Sequence, residues 1–323
     1  MLQPAGTASG QSPPYSSLID PRILMSIRNL ELRARVVVEG FWSGLHRSPY
    51  HGFSVEFTEY RQYTPGDDPR YLDWRVVARS DRYFLKRFED ETNLRCHLVA
   101  DQSRSMTFSS IGYTKAEYAA TLAATLAYFL HQQGDATGLL TFAEQVRDYL
   151  PPRHRSGHLR RLMLALEQPA AGSATDVAAP LERVAEMVRK RGLILVLSDF
   201  LAPLDRLGKA LLRLAAAGHD LVLFQVLDPA ELSFAFREPA VFEDVESGRS
   251  LMLDPGSVRA DYLRRIEEHC TALRQLGERL GAGVTRLTTD QPLELALFDF
   301  LRARTARGRS VRRAGRFAGG GGA

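Results

Sequence analysis

Short apolar runs alternate with amphipathic segments from Leu94 almost to the C-terminus, and this alternation constrains the fold most strongly. The runs LRCHLVA, LILVLS and DLVLFQVL are dominated by apolar residues, as strands covered on both faces of a sheet are. Strands that are separated by helices need crossover connections, which make neighbouring strands parallel. The alternation therefore predicts an α/β fold with a doubly wound, mostly parallel sheet.

The same periodicity predicts the order of elements after residue 93. Strand LRCHLVA is followed by a helix over 115–132, and then ATGLLTFA and QVRDYL form a strand pair whose second member suits a sheet edge. The remaining elements are helices near 158–167 and over 177–190, strand LILVLS, a helix over 204–217, strand DLVLFQVL, a helix over 258–280, strand GVTRLTT and a helix over 293–302. Two alternating runs around Ser247 and Gly248 predict a β-hairpin insertion.

Four segments of different character follow from this pattern. Residues 1–18 are rich in Pro, Ser and Gly and are expected to be disordered. Residues 19–92 combine a helix over 21–39, capped by Asp20 with Pro21 at its first position, with a small β-rich domain of two aromatic-rich strand segments that flank a Pro-Gly turn. Residues 93–301 carry the α/β pattern, with the hairpin insertion near 240–253, and residues 302–323 form a basic flexible tail.

The net charge of +4 is a property of this tail. Residues 302–323 contain seven arginines and no acidic residue, so residues 1–301 carry a net charge of −3. Such a tail is typical of a solvated, solubilising end, and it could instead bind nucleic acid or an anionic surface. Its single aromatic residue, Phe317, offers little for base stacking, so nucleic acid is the less favoured partner.

Composition and hydropathy predict a globular protein without a membrane span. Apolar residues make up 45% and charged residues 25% of the chain, as in ordinary folded proteins. The longest apolar stretches fall short of the roughly 20 residues that a membrane helix needs, and the N-terminus lacks a secretory signal pattern. A cytoplasmic location is expected. Cys96 and Cys270 have no close-spaced Cys or His partner and are expected to be buried free thiols.

An Asp-x-Ser-x-Ser pattern follows the first strand of the α/β region. Asp101, Ser103 and Ser105 stand at alternating positions, so one carboxylate and two hydroxyls can converge on one point. Two further oxygen donors, Thr175 and Asp199, occur where loops are expected to reach the same edge of the sheet. Oxygen ligands of this kind suit a hard cation, and the pattern predicts one Mg²⁺ or Mn²⁺ ion.

Each of these residues also has a purely structural interpretation. Asp101 could cap the next helix while Ser103 and Ser105 satisfy loop amides. Asp176 stands beside Thr175 and is interpreted as the start of the following helix, and Asp68, followed by Pro69, as a helix cap. A second carboxylate site around Asp68 is the weaker alternative.

The motifs together resemble a known family. The segment EYRQYTPGDDPRYLDWRVVARSDRYFLKRFED, followed by Asp-x-Ser-x-Ser-Met and later by SDF, is similar to the uncharacterised bacterial domain-of-unknown-function family 58, whose members carry a von Willebrand factor A-like domain. The resemblance covers roughly residues 19–304, and the combination of PGDD-x-R-x-x-DW with a downstream D-x-S-x-S is specific.

The resemblance implies a metal-ion-dependent adhesion site that recognises an acidic group on a partner protein. In this chain the implied ligands are Asp101, Ser103, Ser105, Thr175 and Asp199. One departure is the sequence Gly-Ser-Ala before Thr175, where similar proteins place small glycines. With two carboxylates, the ligand set would bring a bound dication close to neutrality. Similar proteins are often encoded beside MoxR-type AAA+ ATPases, which implies such an ATPase as partner in protein assembly or activation.

The leading hypothesis is therefore a non-catalytic, metal-dependent interaction module, and the competing hypothesis is an enzyme. A Mg²⁺-dependent phosphoryl-transfer or hydrolytic activity would use Asp101. A phosphoaspartyl enzyme would favour an aspartate at the position of Ser103 and a lysine in a later loop, and a hydrolase would need a general base, for which Asp176 is the nearest candidate. The chain has neither a Gly-x-Ser-x-Gly elbow nor a phosphate-binding Gly-x-x-x-x-Gly-Lys loop.

Overall fold

A six-stranded sheet forms the centre of the protein in a computed structural model that describes residues 18–47, 60–62, 84–86, 94–170, 177–243 and 250–301. The ten strands of the described residues are β1 (Tyr60–Gln62), β2 (Phe84–Lys86), β3 (Arg95–Asp101), β4 (Ala136–Phe142), β5 (Val146–Arg153), β6 (Leu193–Ser198), β7 (Asp220–Leu227), β8 (Ala240–Glu243), β9 (Ser250–Leu253) and β10 (Gly283–Thr288).

The strand order of the main sheet is β10-β7-β6-β3-β4-β5. Every neighbouring pair is parallel except β4 and β5, which are antiparallel. The predicted doubly wound, mostly parallel sheet is thus confirmed, and β5 is its edge strand. Because β4 lies on one side of β3 and β6 on the other, strand order reverses between β3 and β6. Ligands of such sheets bind outside the carboxyl ends of the strands at this switch point.

Helices cover both faces of the sheet. They are α1 (Pro21–Met25), α2 (Leu30–Arg47), α3 (Lys115–Gln132), α4 (His158–Leu166), α5 (Ala178–Met187), α6 (Leu204–Ala216), α7 (Pro229–Ser233), α8 (Pro255–Leu280) and α9 (293–301), with a 3₁₀ turn at Arg104–Thr107. Residues of α2, α3, α4 and α9 form one buried apolar cluster, and residues of α5, α6 and α8 form a second on the opposite face. Strand β3 contributes to both, because its side chains alternate between the faces.

The N-terminal helix departs from the sequence prediction. The single helix predicted over 21–39 is wrong, because the chain leaves the helix after Met25 and starts another at Leu30. The Ser26 hydroxyl donates to the carbonyl of Ile23 at 2.6 Å, and Asn29 accepts from the amide of Leu32 at 2.8 Å, which caps the second helix. Asp20 does cap the first helix, with Arg22 N at 2.8 Å.

Smaller corrections concern element ends. Helix α8 begins at Pro255, three positions before the predicted start, because Asp254 caps it through Gly256 N. Helix α5 ends at Met187 rather than at residue 190. Helix α7 was not predicted.

The two insertions are only partly described. Strands β1 and β2 pair antiparallel in the region predicted to be β-rich, while the Pro-Gly turn and the helix start at Asp68 lie outside the described residues. The hairpin prediction is confirmed by the antiparallel pair β8 and β9; its turn at Ser247 and Gly248 lies outside the described residues. In the described part of the chain, no helix is both long and apolar enough to cross a bilayer. Cys96 and Cys270 are both buried and form no disulfide, as predicted.

Protonation of His97 should weaken the fold in acid. Burial, followed by the nearby His219 and Arg95, lowers the pKa of His97 from 6.5 to about 4. Because the folded-state pKa lies below the unfolded one, this contribution to stability is complete above pH 6.5 and is lost as the pH falls towards 4, by about 3 kcal/mol. We predict that His97→Gln flattens the pH dependence of the free energy of unfolding between these values, as measured by urea denaturation. An unchanged slope would contradict the assignment.

Candidate functional site

Two aspartates lie at the switch point of the sheet. Asp101 ends β3 and Asp199 directly follows β6, and these neighbouring parallel strands are in register up to Ala100 and Leu197. Both carboxylates are almost fully buried, with 1% and 0% exposure. The structure thus brings together the two aspartates that the sequence singled out.

The carboxylate of Asp101 is fixed by hydrogen bonds from both strands. Its Oδ1 accepts from the amide of Ser103 at 2.9 Å, and its Oδ2 accepts from the hydroxyl of Ser198 at 2.6 Å. Burial, followed by the charge of Asp199, raises the pKa of Asp101 to about 7, although the bonds from Ser198 and Ser103 oppose the shift. A positive charge placed next to such a buried carboxylate stabilises its ionised form.

The two serines of the motif lie side by side. The Ser103 and Ser105 hydroxyl oxygens are 3.2 Å apart, where the chain enters the 3₁₀ turn. Adjacent ligand oxygens around an octahedral Mg²⁺ with bonds of about 2.1 Å are separated by about 3 Å. The spacing of the hydroxyls therefore fits two neighbouring positions around a small cation.

A strained loop presents Asp199. Phe200, which is fully buried, has a left-handed backbone with φ of 54°, a conformation that costs roughly 1–2 kcal/mol for a residue with a side chain. The Ser198 hydroxyl accepts from Phe200 N at 3.0 Å, and a ring nitrogen of His269 lies 2.8 Å from the Phe200 carbonyl oxygen. Ser198 therefore links the geometry of this loop to Asp101.

Lys115 is a part of the site that sequence reasoning missed. Its side chain is 1% exposed, and its Nζ lies 2.8 Å from Asp199 Oδ2 and 2.6 Å from Glu231 Oε1. Burial alone lowers the pKa of this ammonium group, but the two carboxylates outweigh that effect and raise the pKa above its usual value. Lys115 is therefore a fixed positive charge at the edge of the site.

This finding corrects two sequence-based arguments. The charge count of two carboxylates against a dication omitted Lys115 and Glu231; their opposite charges cancel, but Lys115 holds Asp199 in an ion pair instead of leaving it open to an ion. A phosphoaspartyl enzyme is expected to carry a lysine in a later loop. The structure nevertheless brings a lysine to this edge of the sheet, from the first turn of α3 rather than from a loop.

Helix α7 holds Glu231 in place. Glu231 Oε2 accepts from the amide of Asp228 at 2.8 Å, and Asp228 in turn accepts from Ala230 N at 2.8 Å, which makes a reciprocal capping box. Asp228 also accepts from the amide of Ser110 at 2.8 Å and from its hydroxyl. The segment after β7 is thereby tied to the loop that follows the Asp-x-Ser-x-Ser motif.

The sequence contains a signal for each of the two site residues that the prediction lacked, Lys115 and Glu231. Lys115 follows Thr114, whose side chain caps α3 in a capping box with Glu117. A lysine at the first position of a helix puts its charge at the positive end of the helix dipole, which is unfavourable unless counter-charges are present. The sequence Asp228-Pro229-x-Glu231 matches a capping box with proline at the first helical position.

Three of the residues named from the sequence are not placed. Thr175 and Asp176 lie outside the described residues, as does Asp68. In the ranges that the structure covers, there is no group of three or more His, Cys, Asp or Glu side chains arranged to hold a metal ion. A metal here would depend on hydroxyl oxygens as well as carboxylates.

The donor set around Asp101 fits a hard cation. Asp101 Oδ1 accepts from the amide of Ser103 and Oδ2 from the hydroxyl of Ser198, and each carboxylate oxygen has a second lone pair. Asp199 differs, because its Oδ1 accepts from Leu201 N at 3.2 Å and its Oδ2 is held by Lys115. Among the residues that the structure describes at this site, those whose oxygens stay open to an ion are therefore Asp101, Ser103 and Ser105.

A cavity of about 500 Å³ opens beside Asp101. Its wall includes Arg28, Arg33, Thr107 and Glu117. It is roomy enough for a side chain of another molecule to approach the Asp101 end of the site.

Comparison with known proteins gives a family match. The family model described as "Protein of unknown function DUF58" matches residues 59–272. An uncharacterised protein of Mycobacterium tuberculosis is 30% identical over 277 residues, which are 84% of this chain and 86% of that protein.

Solved structures with similar folds share little sequence with this chain. The conserved hypothetical protein BatB from Bacteroides thetaiotaomicron is 14% identical, with a TM-score of 0.46, over 66% of this chain and 99% of that one. The SpRpn10 VWA domain is 11% identical, with a TM-score of 0.36, over 62% of this chain and 92% of that one.

Removal of the buried ammonium group should destabilise the protein strongly. In Lys115→Met, Asp199 and Glu231 would face each other without a counter-charge, and breaking a buried pair in this way typically costs about 3–5 kcal/mol. Arg264→Met is the control, because Arg264 pairs with Glu268 at 2.8 Å on the surface, where both side chains are more than half exposed. Urea denaturation should show a far larger loss for Lys115→Met. Equal losses would contradict the role of Lys115 as an internal counter-ion.

Proposed function

The chain belongs to the family described as protein of unknown function DUF58, and from this premise we propose that it is a non-catalytic, metal-dependent protein-interaction module. In this proposal one Mg²⁺ or Mn²⁺ ion is bound directly by Asp101, Ser103 and Ser105, with Thr175 as a further hydroxyl ligand. Asp199 lies near the ion without contacting it. The partner is a protein that presents a carboxylate to the ion.

One observation carries the proposal. A buried carboxylate and two hydroxyls 3.2 Å apart converge at the switch point of the sheet, which is where folds of this class bind ligands. A turn that only satisfied its own amides would not need to bury Asp101 beside a second carboxylate. The hydrogen bond that the backbone amide of Ser103 donates to Asp101 supports the capping interpretation as well. This hydrogen bond uses only one of the four lone-pair positions of the carboxylate.

Each residue has a distinct role in this function. Asp101 supplies the negative charge, and Ser198 orients it through the 2.6 Å hydrogen bond. Ser103 and Ser105 supply neutral oxygens, which leave a net positive charge at the site. The bound ion supplies an open coordination position that attracts a carboxylate. The cavity whose wall includes Asp101 is the space nearest this carboxylate into which a partner's side chain would enter in this proposal.

The geometry favours binding over catalysis. A metal hydrolase needs a general base next to the attacked bond. The carboxylates of Asp199 and Glu231 are both engaged by Lys115, so neither is poised to accept a proton from water. The expected partner, from the family resemblance, is a MoxR-type AAA+ ATPase, with this chain acting as its adaptor or co-chaperone.

Metal titration tests the ion-binding part of the proposal. Calorimetry of metal-free protein should show one saturable site for Mg²⁺ and Mn²⁺, and Asp101→Ala should abolish it because the carboxylate that binds the ion in this proposal is lost. Asp220→Ala is the matched control, since this exposed aspartate begins β7 at the opposite edge of the sheet. Binding that survives Asp101→Ala, or is lost equally in Asp220→Ala, would refute the site.

Partner capture tests the interaction part. The immobilised full chain should retain a MoxR-type ATPase from the same bacterium in Mg²⁺ and release it in EDTA, because the proposed contact runs through the ion. Ser103→Ala together with Ser105→Ala should weaken retention by at least tenfold, since both hydroxyl ligands are removed. Retention that is indifferent to EDTA and to these changes would show that the contact does not use the ion.

A further inference from the structure

The buried Lys115 divides the charges of the site into two parts. Asp199, Lys115 and Glu231 form a closed ion-pair group, with side chains 0%, 1% and 13% exposed. Asp101 lies outside this group and is hydrogen-bonded to serine hydroxyl and backbone groups instead. Of the three carboxylates Asp101, Asp199 and Glu231, Asp101 is therefore the one that Lys115 does not contact.

Hydrogen bonds to both carboxylate oxygens and to the backbone carbonyl fix the position of Asp199. Its Oδ2 contacts Lys115 Nζ at 2.8 Å and its Oδ1 accepts from Leu201 N at 3.2 Å. Its backbone carbonyl accepts from Gln225 Nε2 at 3.2 Å. Direct binding of an ion by Asp199 would require this carboxylate to give up a bond to the buried lysine, which would be left near Glu231 alone.

We propose that Lys115 keeps the affinity of the site for a divalent ion low until an acidic ligand supplies the missing negative charge, so that ion and carboxylate bind cooperatively. This inference rests on the proposed function. Affinity for hard cations increases with the number of charged ligands. The groups in direct contact with the ion, one carboxylate and two neutral hydroxyls, leave a dication with a net positive charge in its own coordination shell, and an incoming carboxylate relieves that excess. By linkage, the ion and the carboxylate then strengthen each other's binding by the same factor.

Lys115 acts here as a positioning residue, because it would contact neither the ion nor the ligand. Its effect can be separated from net charge by changing its two partners together. Lys115→Met combined with Glu231→Gln removes one positive and one negative charge, so the total charge of the site is unchanged while Asp199 loses its counter-ion. The amide oxygen introduced at position 231 can still accept from the amide of Asp228, which preserves the cap of α7.

The experiment measures Mn²⁺ dissociation constants by calorimetry, with and without glutarate as the carboxylate probe, after correction for complexes of Mn²⁺ with glutarate alone. For the wild-type chain, saturating glutarate should tighten Mn²⁺ binding at least tenfold. For the double variant, Mn²⁺ should bind at least tenfold more tightly than to wild type without glutarate, and the effect of glutarate should fall below threefold. Arg264→Met with Glu268→Gln, a surface pair changed in the same way, should behave as wild type.

The outcomes separate this inference from the function on which it rests. If wild type binds Mn²⁺ and the double variant, shown to be folded by its thermal unfolding transition, has the same affinity and the same glutarate effect, the role of Lys115 is refuted and the proposed function stands. If neither chain binds Mn²⁺ with or without glutarate, the metal-dependent function itself is refuted.

Discussion

The ammonium group of Lys115, buried between Asp199 and Glu231, is the interaction on which the architecture of this edge of the sheet depends. It joins the start of α3, the loop after β6 and helix α7. Buried charges are tolerated only when they are paired, so the segments that carry Asp199 and Glu231 are both held by their need for the ammonium group of Lys115. The loop that carries Asp101 is attached to the same framework, because Asp228 binds Ser110.

Topology explains why the site lies where it does. Strand β4 pairs with one side of β3, and β6 pairs with the other side. The connections that leave β3 and β6 therefore run in opposite directions, which opens a crevice outside the carboxyl ends of these two strands. A charged side chain is costly along the length of a buried strand, whereas at the end of a strand it can meet loop amides, hydroxyls and counter-charges. Asp101 and Asp199 occupy these ends, and the strained turn at Phe200 with its link to Ser198 keeps them in place.

The sequence predicted the α/β sheet well because its strands and helices have clear periods, as in the helix Lys115–Gln132, whose bounds agree with the prediction. It also predicted that Asp101 and Asp199 lie where strands end, and they lie at the end of β3 and directly after β6; that they and Ser103 form a metal site stays a prediction. The single N-terminal helix was wrongly predicted because of local hydrogen bonds: the side chains of Ser26 and Asn29 bond to the backbone and divide that segment into two helices. Lys115 was missed because its meaning depends on partners 84 and 116 positions away, a pairing that no local pattern contains.

The central claim is that the end of β3 binds a cation through Asp101 while Lys115 stays on Asp199. Crystals of the full chain grown with Mn²⁺ and measured at the manganese absorption edge would test it directly. The account predicts one anomalous peak within about 2.5 Å of oxygens of Asp101, Ser103 and Ser105, a distance typical of hard-cation ligands, with Lys115 still bonded to Asp199. A fully loaded crystal with no peak at Asp101, or with Asp199 as the main ligand and Lys115 displaced, would contradict it.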